Sequence, residues 1–153
     1  MAWHERVVRF RINTHSIRVA LRTARLLEAV MGGRFDIAIS TKNFILLDCD
    51  DKSAIELFTE FCRGLCREYA ARGFMYETPH GFHFVLLKFM SFPRWRTFYR
   101  WLLKMMDEEP ELEDIIDRAH VEACLRRGYA TLRLVQLRRY LMIDETGEVI
   151  FYE

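Results

Sequence analysis

The chain has 153 residues, of which 51% are hydrophobic and 29% charged, with only 7 glycines and 3 prolines. This composition excludes a disordered segment and a repeat array, and predicts a single domain over residues 1–153 with one core. No apolar run approaches the roughly 20 residues needed to cross a bilayer and the N-terminus lacks the apolar core of a signal peptide, so we expect a soluble, cytoplasmic protein with no membrane partner.

The net charge of +1 conceals a strong segregation of charge along the sequence. Residues 1–34, 86–104 and 118–139 are mainly basic, whereas residues 107–117 carry seven acidic and no basic side chains. If the basic blocks share a face, they form a surface that attracts phosphates. The alternative is a set of solvated helix faces with internal ion pairs.

In the first third of the chain, alternation of charged and apolar residues predicts a strand over residues 6–12, and helical spacing predicts a helix over 16–31 that ends at Gly32 and Gly33. Two short apolar segments, 35–40 and 44–49, flank Thr41, Lys42 and Asn43, and this pattern predicts a hairpin. Asp51 or Ser53 is expected to cap the next helix, over residues 52–72, with Gly73 as its end.

The remaining pattern predicts a hairpin of residues 74–78 and 82–89, helices over 94–106 and 117–127, and strands over 129–135, 140–143 and 149–152. Helices interleaved with hairpins indicate an α+β fold, with an antiparallel or mixed β-sheet and helices packed mainly on one face. The four cysteines lie in apolar segments without a CxxC pair, so we expect reduced, buried thiols; they are Cys49, Cys62, Cys66 and Cys124.

The first candidate site is the acidic end of the strand predicted over residues 44–49. Strand periodicity places Asp48 and Asp50 on the same face, about 7 Å apart at their Cα atoms. Two carboxylates in this arrangement can hold Mg²⁺ or Mn²⁺, which prefer oxygen ligands and usually retain waters and substrate phosphates. The alternative is a cluster that caps the following helix.

The second candidate site is the turn Thr78-Pro79-His80-Gly81, which leads His83 into an apolar strand. Gly81 permits a close approach of the backbone, and an imidazole at the start of a strand can donate to a phosphate oxygen. A surface or structural role for the histidine is the alternative. A zinc site with Cys62 and Cys66 is disfavoured, because cysteines four residues apart on a helix stripe are typical of a core.

The third candidate is an acid of the 107–117 block together with Arg133. Asp114 and Asp117 both precede a short helix, and the sequence alone does not choose between them. Arg133 lies in the strand after that helix, where it can either pair with these carboxylates or reach a phosphate. Neither a dinucleotide-binding glycine motif nor a P-loop occurs in the chain.

The order of these motifs resembles the Prim-Pol branch of the archaeo-eukaryotic primase superfamily. An apolar strand that ends in Asp48-x-Asp50 is followed by a helix and then by Thr78-Pro79-x-Gly81-x-His83. The resemblance implies an RRM-like palm in which Asp48, Asp50 and a third acid, Asp117, bind two Mg²⁺ or Mn²⁺ ions as catalytic residues. It also implies that Thr78, His83 and Arg133 bind the nucleotide.

The helix predicted over residues 94–106 carries a second set of basic side chains with aromatic residues between them. Arg94, Arg96, Arg100 and Lys104 are candidates for nucleic-acid binding through phosphates, with Trp95, Tyr99 and Trp101 available for base stacking. The alternative is an ordinary helix with a core face and a solvated face.

The resemblance implies a small primase-polymerase-like nucleotidyltransferase of replication or repair. Its expected partners are a nucleoside triphosphate, single-stranded or primed DNA, and replication proteins. The alternatives are a catalytically inactive RRM-like nucleic-acid-binding or accessory replication protein, and a metal-dependent nuclease that uses the same carboxylates.

Overall fold

The computed structural model describes residues 8–13, 35–134 and 140–152, together with the isolated positions Arg22, Leu26 and Val30. These three positions are helical and exposed. They agree with the helix expected over residues 16–31, the rest of which lies outside the described residues.

Helices lie between groups of strands in the described part of the chain, as the sequence predicts. The strands are β1 (Val8–Asn13), β2 (Phe35–Thr41), β3 (Leu46–Cys49), β4 (Gly73–Glu77), β5 (Phe82–Leu86), β6 (Ala130–Leu134), β7 (Tyr140–Ile143) and β8 (Val149–Tyr152). The α-helices are α1 (Ile55–Tyr69), α2 (Phe92–Glu108) and α3 (Arg118–Arg127), and single 3₁₀ helices cover Lys52–Ala54 and Pro110–Asp114. The α+β class is therefore confirmed.

The strands form two sheets rather than the one expected. A mixed sheet has the order β1-β2-β6, in which β1 and β2 are parallel and β2 and β6 antiparallel. The second sheet is antiparallel throughout and has the order β3-β5-β4-β7-β8. Two of the expected hairpins, β4 with β5 and β7 with β8, are confirmed within it.

The hairpin predicted from residues 35–40 and 44–49 is wrong, because β2 and β3 belong to different sheets. The segment between them is a buried link. Asn43 donates through Nδ2 to the carbonyl of Met90 at 2.8 Å, and its own carbonyl accepts from the Met90 N–H at 2.8 Å. A buried asparagine that needs such partners holds the chain in the interior instead of turning it at the surface.

The ends of α3 lie close to the predicted ones, whereas α1 ends earlier than predicted. Gly128 follows the last residue of α3 with a φ of 81°, as expected, and Asp117, predicted as the first helical residue, is the N-cap of the helix. Helix α1 ends earlier than predicted, at Tyr69, with Ala70 in the left-handed conformation. Gly73 is the first residue of β4, where a Cβ atom would overlap the ring of Phe84.

Side chains of α2 and α3 cover the outer edge of β3, and this explains why the two sheets are separate. Trp95 donates to the carbonyl of Phe44 at 2.9 Å. The Tyr99 hydroxyl donates to the carbonyl of Leu46 at 2.7 Å and accepts from its N–H at 2.9 Å, and His120 Nε2 donates to the same carbonyl at 2.9 Å. Because these donors and acceptors satisfy the edge, no further strand of the described residues pairs there.

Candidate metal centre

Three carboxylates converge at the carboxyl end of β3. One ligand oxygen from each of Asp48, Asp50 and Asp117 lies within 4.8 Å of the others. Asp48 lies in β3 and Asp50 is the first residue after that strand. Strand periodicity therefore brings the side chains of Asp48 and Asp50 to the same face. Asp114, which competed with the preferred Asp117 for the place of the third acid, is exposed and does not belong to this group.

Asp117 is anchored to the site through its backbone. Its N–H donates to the carbonyl of Asp48 at 2.8 Å. That carbonyl lies on the outer edge of β3, where side chains of α2 and α3 form hydrogen bonds with the neighbouring backbone groups. Its Oδ1 accepts from the N–H of Ala119 at 3.0 Å and caps α3. A carboxylate has two oxygens, so this capping bond leaves one available for a cation.

The turn between β4 and β5 lies against the backbone that precedes Asp50. A Cβ atom at Gly81 would overlap the carbonyl oxygen of Cys49, so only glycine permits this approach. Thr78 closes the turn: its hydroxyl accepts from the Gly81 N–H at 2.9 Å, and its own N–H donates to the Gly81 carbonyl at 2.8 Å. Thr78, a predicted nucleotide-binding residue, thus has an evident structural role.

His83 lies beside Asp48 because the two residues are register partners on β3 and β5. His83 is also the register partner of Tyr76 on β4, so the three side chains form one row across the sheet. Nε2 of His83 is 3.2 Å from Oδ1 of Asp48, and its Nδ1 is 2.8 Å from the Tyr76 hydroxyl. Tyr76 was not among the residues predicted from the sequence, although counting back from the Thr78–Gly81 turn would have found it.

The electrostatics of the cluster favour a bound cation. Partial burial raises the pKa of Asp50, and the neighbouring charges of Asp48 and Asp117 and a hydrogen bond with Asp117 raise it further. Oδ1 of Asp48 is shielded from solvent and has no hydrogen-bond partner among the described residues. A shielded carboxylate oxygen without a donor, beside two more carboxylates, fits a divalent cation with oxygen ligands.

The predicted nucleic-acid-binding residues are all on the surface of α2. Arg96, Arg100 and Lys104 are exposed at four-residue spacing and form one stripe, which we call the basic stripe. Arg94 is also exposed but points elsewhere, into a groove of about 830 Å³ between α1 and α2. Arg133, in β6, is likewise exposed, and its carbonyl accepts from the Tyr76 hydroxyl at 3.4 Å.

Two of the aromatic residues of α2 are not available for base stacking. Trp95 and Tyr99 are completely buried, whereas Trp101 is 44% exposed. The interpretation of Trp95 and Tyr99 as a stacking surface is therefore wrong. Their indole and hydroxyl groups bond the edge of β3, which is the structural alternative considered from the sequence.

The acidic block is partly neutralised inside the chain. Arg118 forms ion pairs with Asp107 at 2.8 Å, Glu113 at 3.3 Å and Glu122 at 3.2 Å.

The four cysteines are reduced and buried, as predicted.

No family model, curated protein or solved structure matches the chain. Among the described helices, none combines the length and the apolar character needed to cross a bilayer.

Proposed function

We propose that this chain is a small primase-polymerase-like nucleotidyltransferase, which adds nucleotides to a nucleic-acid strand in replication or repair with two Mg²⁺ or Mn²⁺ ions. One observation carries the proposal. Asp48 and Asp50, which are two positions apart in the sequence, and the distant Asp117 bring their carboxylates within 4.8 Å of one another, with His83 at 3.2 Å from Asp48. These are the residues that the Prim-Pol resemblance assigns to one site.

The strand order also supports an RRM-like palm. The succession β3-α1-β4-β5, followed by helices and then β6, has the form β-α-β-β-α-β. Its strands β3, β5 and β4 are adjacent in that order, and β6 contacts β3 without pairing with it. β3 is the edge strand of its sheet, and its carboxylates lie at the carboxyl end of that strand, where we expect a polyphosphate to have access to them.

The side chains of the site divide into two chemical roles. Asp48, Asp50 and Asp117 hold the cations, and Arg133 faces the phosphates of the incoming nucleotide, where the resemblance also places His83. Bound divalent ions lower the pKa of an attacking 3′-hydroxyl and stabilise charge on the attacking and leaving oxygens. The backbone bond between Asp117 and Asp48 keeps two of the carboxylates in place, which preorganises the site.

The basic stripe of Arg96, Arg100 and Lys104 is the proposed contact for single-stranded or primed DNA. Its side chains are exposed on one face of α2, and cations spaced by one helical turn can follow a phosphate backbone. With Trp95 and Tyr99 buried, we assign the template contact chiefly to charge.

A primer-extension assay with Mn²⁺ or Mg²⁺ and labelled nucleotides tests the proposal. We expect incorporation by the wild-type chain, and a loss of at least about 100-fold in Asp48→Asn and in Asp50→Asn, because metal ligation supplies several kcal/mol of transition-state stabilisation. Asp51→Asn is the matched control. Asp51 caps the 3₁₀ helix through Ser53 and is not part of the carboxylate group, so its variant should retain activity.

The other candidate functions give different results in the same experiment. A nucleic-acid-binding protein without catalysis would bind single-stranded DNA equally well in all three variants and incorporate nothing. A nuclease would degrade the labelled oligonucleotide without added nucleotides. Incorporation that persists in both Asp48→Asn and Asp50→Asn would contradict the assigned site.

A further inference from the structure

His83 Nε2 and Asp48 Oδ1 lie within ion-pair distance of each other but are not aligned as a hydrogen bond. The two atoms are 3.2 Å apart, yet Oδ1 is shielded from solvent and has no hydrogen-bond partner among the described residues. A hydrogen on Nε2 would therefore miss Oδ1, although the distance itself is almost that of a hydrogen bond. Two polar atoms held this close without a bond carry a desolvation cost that a cation would offset.

A metal ion shared by the two side chains accounts for both the distance and the missing hydrogen bond. Donor atoms that each lie about 2.1 Å from one ion, at a right angle, are about 3 Å apart. In that arrangement the lone pair of the ring nitrogen points at the ion and not at the carboxylate oxygen. The separation of 3.2 Å between Nε2 and Oδ1 is close to this value.

Tyr76 supports the same assignment from the opposite side of the imidazole. Its hydroxyl is 2.8 Å from Nδ1 of His83 and donates to the carbonyl of Arg133 at 3.4 Å. A metal-bound Nε2 requires the hydrogen of the neutral ring to be on Nδ1, and the Tyr76 oxygen at 2.8 Å is able to accept it. The lone pair of the neutral ring is then on Nε2, and metal-bound histidines almost always donate their other N–H in this way.

We propose that Nε2 of His83 is a ligand of a divalent metal ion that it shares with Asp48. The proposal deepens the two-ion site above and rests on it. The mutually close ligand atoms belong to Asp48, Asp50 and Asp117, and His83 joins them through Asp48. Asp48 therefore bridges an all-oxygen ion position and a position with one nitrogen ligand, and this role replaces the direct phosphate contact that the resemblance implies for His83.

The nitrogen ligand has a consequence for metal choice. Imidazole favours first-row transition ions, whereas Mg²⁺ prefers carboxylates and water. The ion position shared by Asp48 and His83 should thus select Mn²⁺ over Mg²⁺, while the position held by the three carboxylates accepts either ion.

Pulsed electron paramagnetic resonance of Mn²⁺ bound to the full chain tests this proposal, because a directly coordinated imidazole modulates the electron spin echo. We expect ¹⁴N modulation once the second equivalent of Mn²⁺ is bound, and its conversion to the ¹⁵N pattern in protein labelled with [¹⁵N]histidine. His83→Gln should lose the modulation. His80→Gln is the control, since His80 is exposed in the adjacent turn, and should keep it.

The labelled wild-type protein makes the test independent of whether a variant folds. Two bound Mn²⁺ ions without nitrogen modulation would overturn the histidine ligand and leave the two-ion nucleotidyltransferase intact. Absence of Mn²⁺ binding would overturn both proposals. Primer extension with Mg²⁺, measured on the same preparation, reports on the proposed function separately.

Discussion

The backbone N–H of Asp117 donates to the backbone carbonyl of Asp48 over 2.8 Å. This bond joins the end of the 107–117 acidic block to the edge of β3. It brings the carboxylate of Asp117 close to those of Asp48 and Asp50, which strand periodicity already places together. Since it involves main-chain atoms, side-chain substitutions at either position can change the charge of the site without removing the bond.

Substitutions at Asp117 should separate its structural role from its role as a ligand. Asparagine keeps a side-chain oxygen for the Ala119 N–H, so Asp117→Asn should change the free energy of unfolding by only about a few tenths of a kcal/mol, whereas Asp117→Ala should lose about 1 kcal/mol. Both variants should bind Mn²⁺ at least about tenfold more weakly, because each removes a charged ligand. Urea unfolding and Mn²⁺ titration measure the two effects, and wild-type affinity in Asp117→Asn would contradict the assignment.

The close approach of Gly81 to Cys49 predicts a cost for any side chain at that turn. A Cβ atom that overlaps a backbone carbonyl oxygen forces the backbone to shift, so Gly81→Ala should destabilise the fold by about 1–3 kcal/mol. It should also weaken Mn²⁺ binding, because the displaced backbone carries Asp50. Thermal unfolding and Mn²⁺ titration are the measurements.

Gly64 supplies the matched control for that substitution. It lies inside α1, and its nearest neighbour to a new Cβ atom is an Arg67 side-chain nitrogen at 4.0 Å. Gly64→Ala should stabilise the protein by about 0.5–1 kcal/mol, since alanine is the better helix former. A Gly81→Ala variant as stable as wild type would contradict the close contact of the turn with the end of β3.

A buried histidine should make stability depend on pH. His120 donates to the Leu46 carbonyl in the interior, and burial lowers its pKa below the ordinary value of 6.5, against the opposing influence of Asp48 and Asp117. The unfolded chain therefore takes up a proton on acidification before the folded chain does. The contribution of neutral His120 to the free energy of unfolding is therefore complete above about pH 6.5. It is lost as the pH falls toward the lower pKa of the folded state.

His120→Gln removes this titration and keeps an N–H donor for Leu46. Between about pH 7 and pH 5, its free energy of unfolding should fall less steeply than that of the wild-type protein in urea titrations. Parallel curves for the two proteins would show that His120 does not contribute to the acid sensitivity.

The local part of the site could be predicted from the sequence, and the long-range part could not. Strand periodicity gave the Asp48 and Asp50 pair, and turn chemistry gave Gly81. The resemblance favoured Asp117 over Asp114, but no local pattern encodes the backbone bond to Asp48 that brings Asp117 to the pair. A core face on the helix of Trp95 and Tyr99 was one of the two interpretations of the sequence, but their hydrogen-bond partners on the chain around β3 could not be foreseen from it.

In the fold, too, the local features could be predicted from the sequence and the features that depend on long-range contacts could not. Hairpins with short turns, such as β4 with β5, follow from adjacent residues, whereas the separation of β2 from β3 depends on the contact of Asn43 with Met90, 47 positions away. A turn-forming sequence such as Thr41-Lys42-Asn43 is compatible with either outcome. Tertiary hydrogen bonds decide between them.

The basic stripe should control the salt dependence of DNA binding. Replacing Arg96, Arg100 and Lys104 by glutamine should lower the slope of log affinity against log salt for single-stranded DNA by about 2, because each phosphate contact contributes about 0.7. Fluorescence anisotropy at several salt concentrations measures this slope. An unchanged slope would contradict this assignment and show that single-stranded DNA binds another face of the protein.

The most direct test of the metal centre is a crystal structure of the chain with Mn²⁺ and a non-hydrolysable nucleoside triphosphate, with anomalous data collected at the manganese edge. The expected result is anomalous density between Asp48, Asp50 and Asp117, with the triphosphate in contact with it. A triphosphate bound elsewhere, or carboxylates without manganese at saturating concentration, would contradict the proposed site.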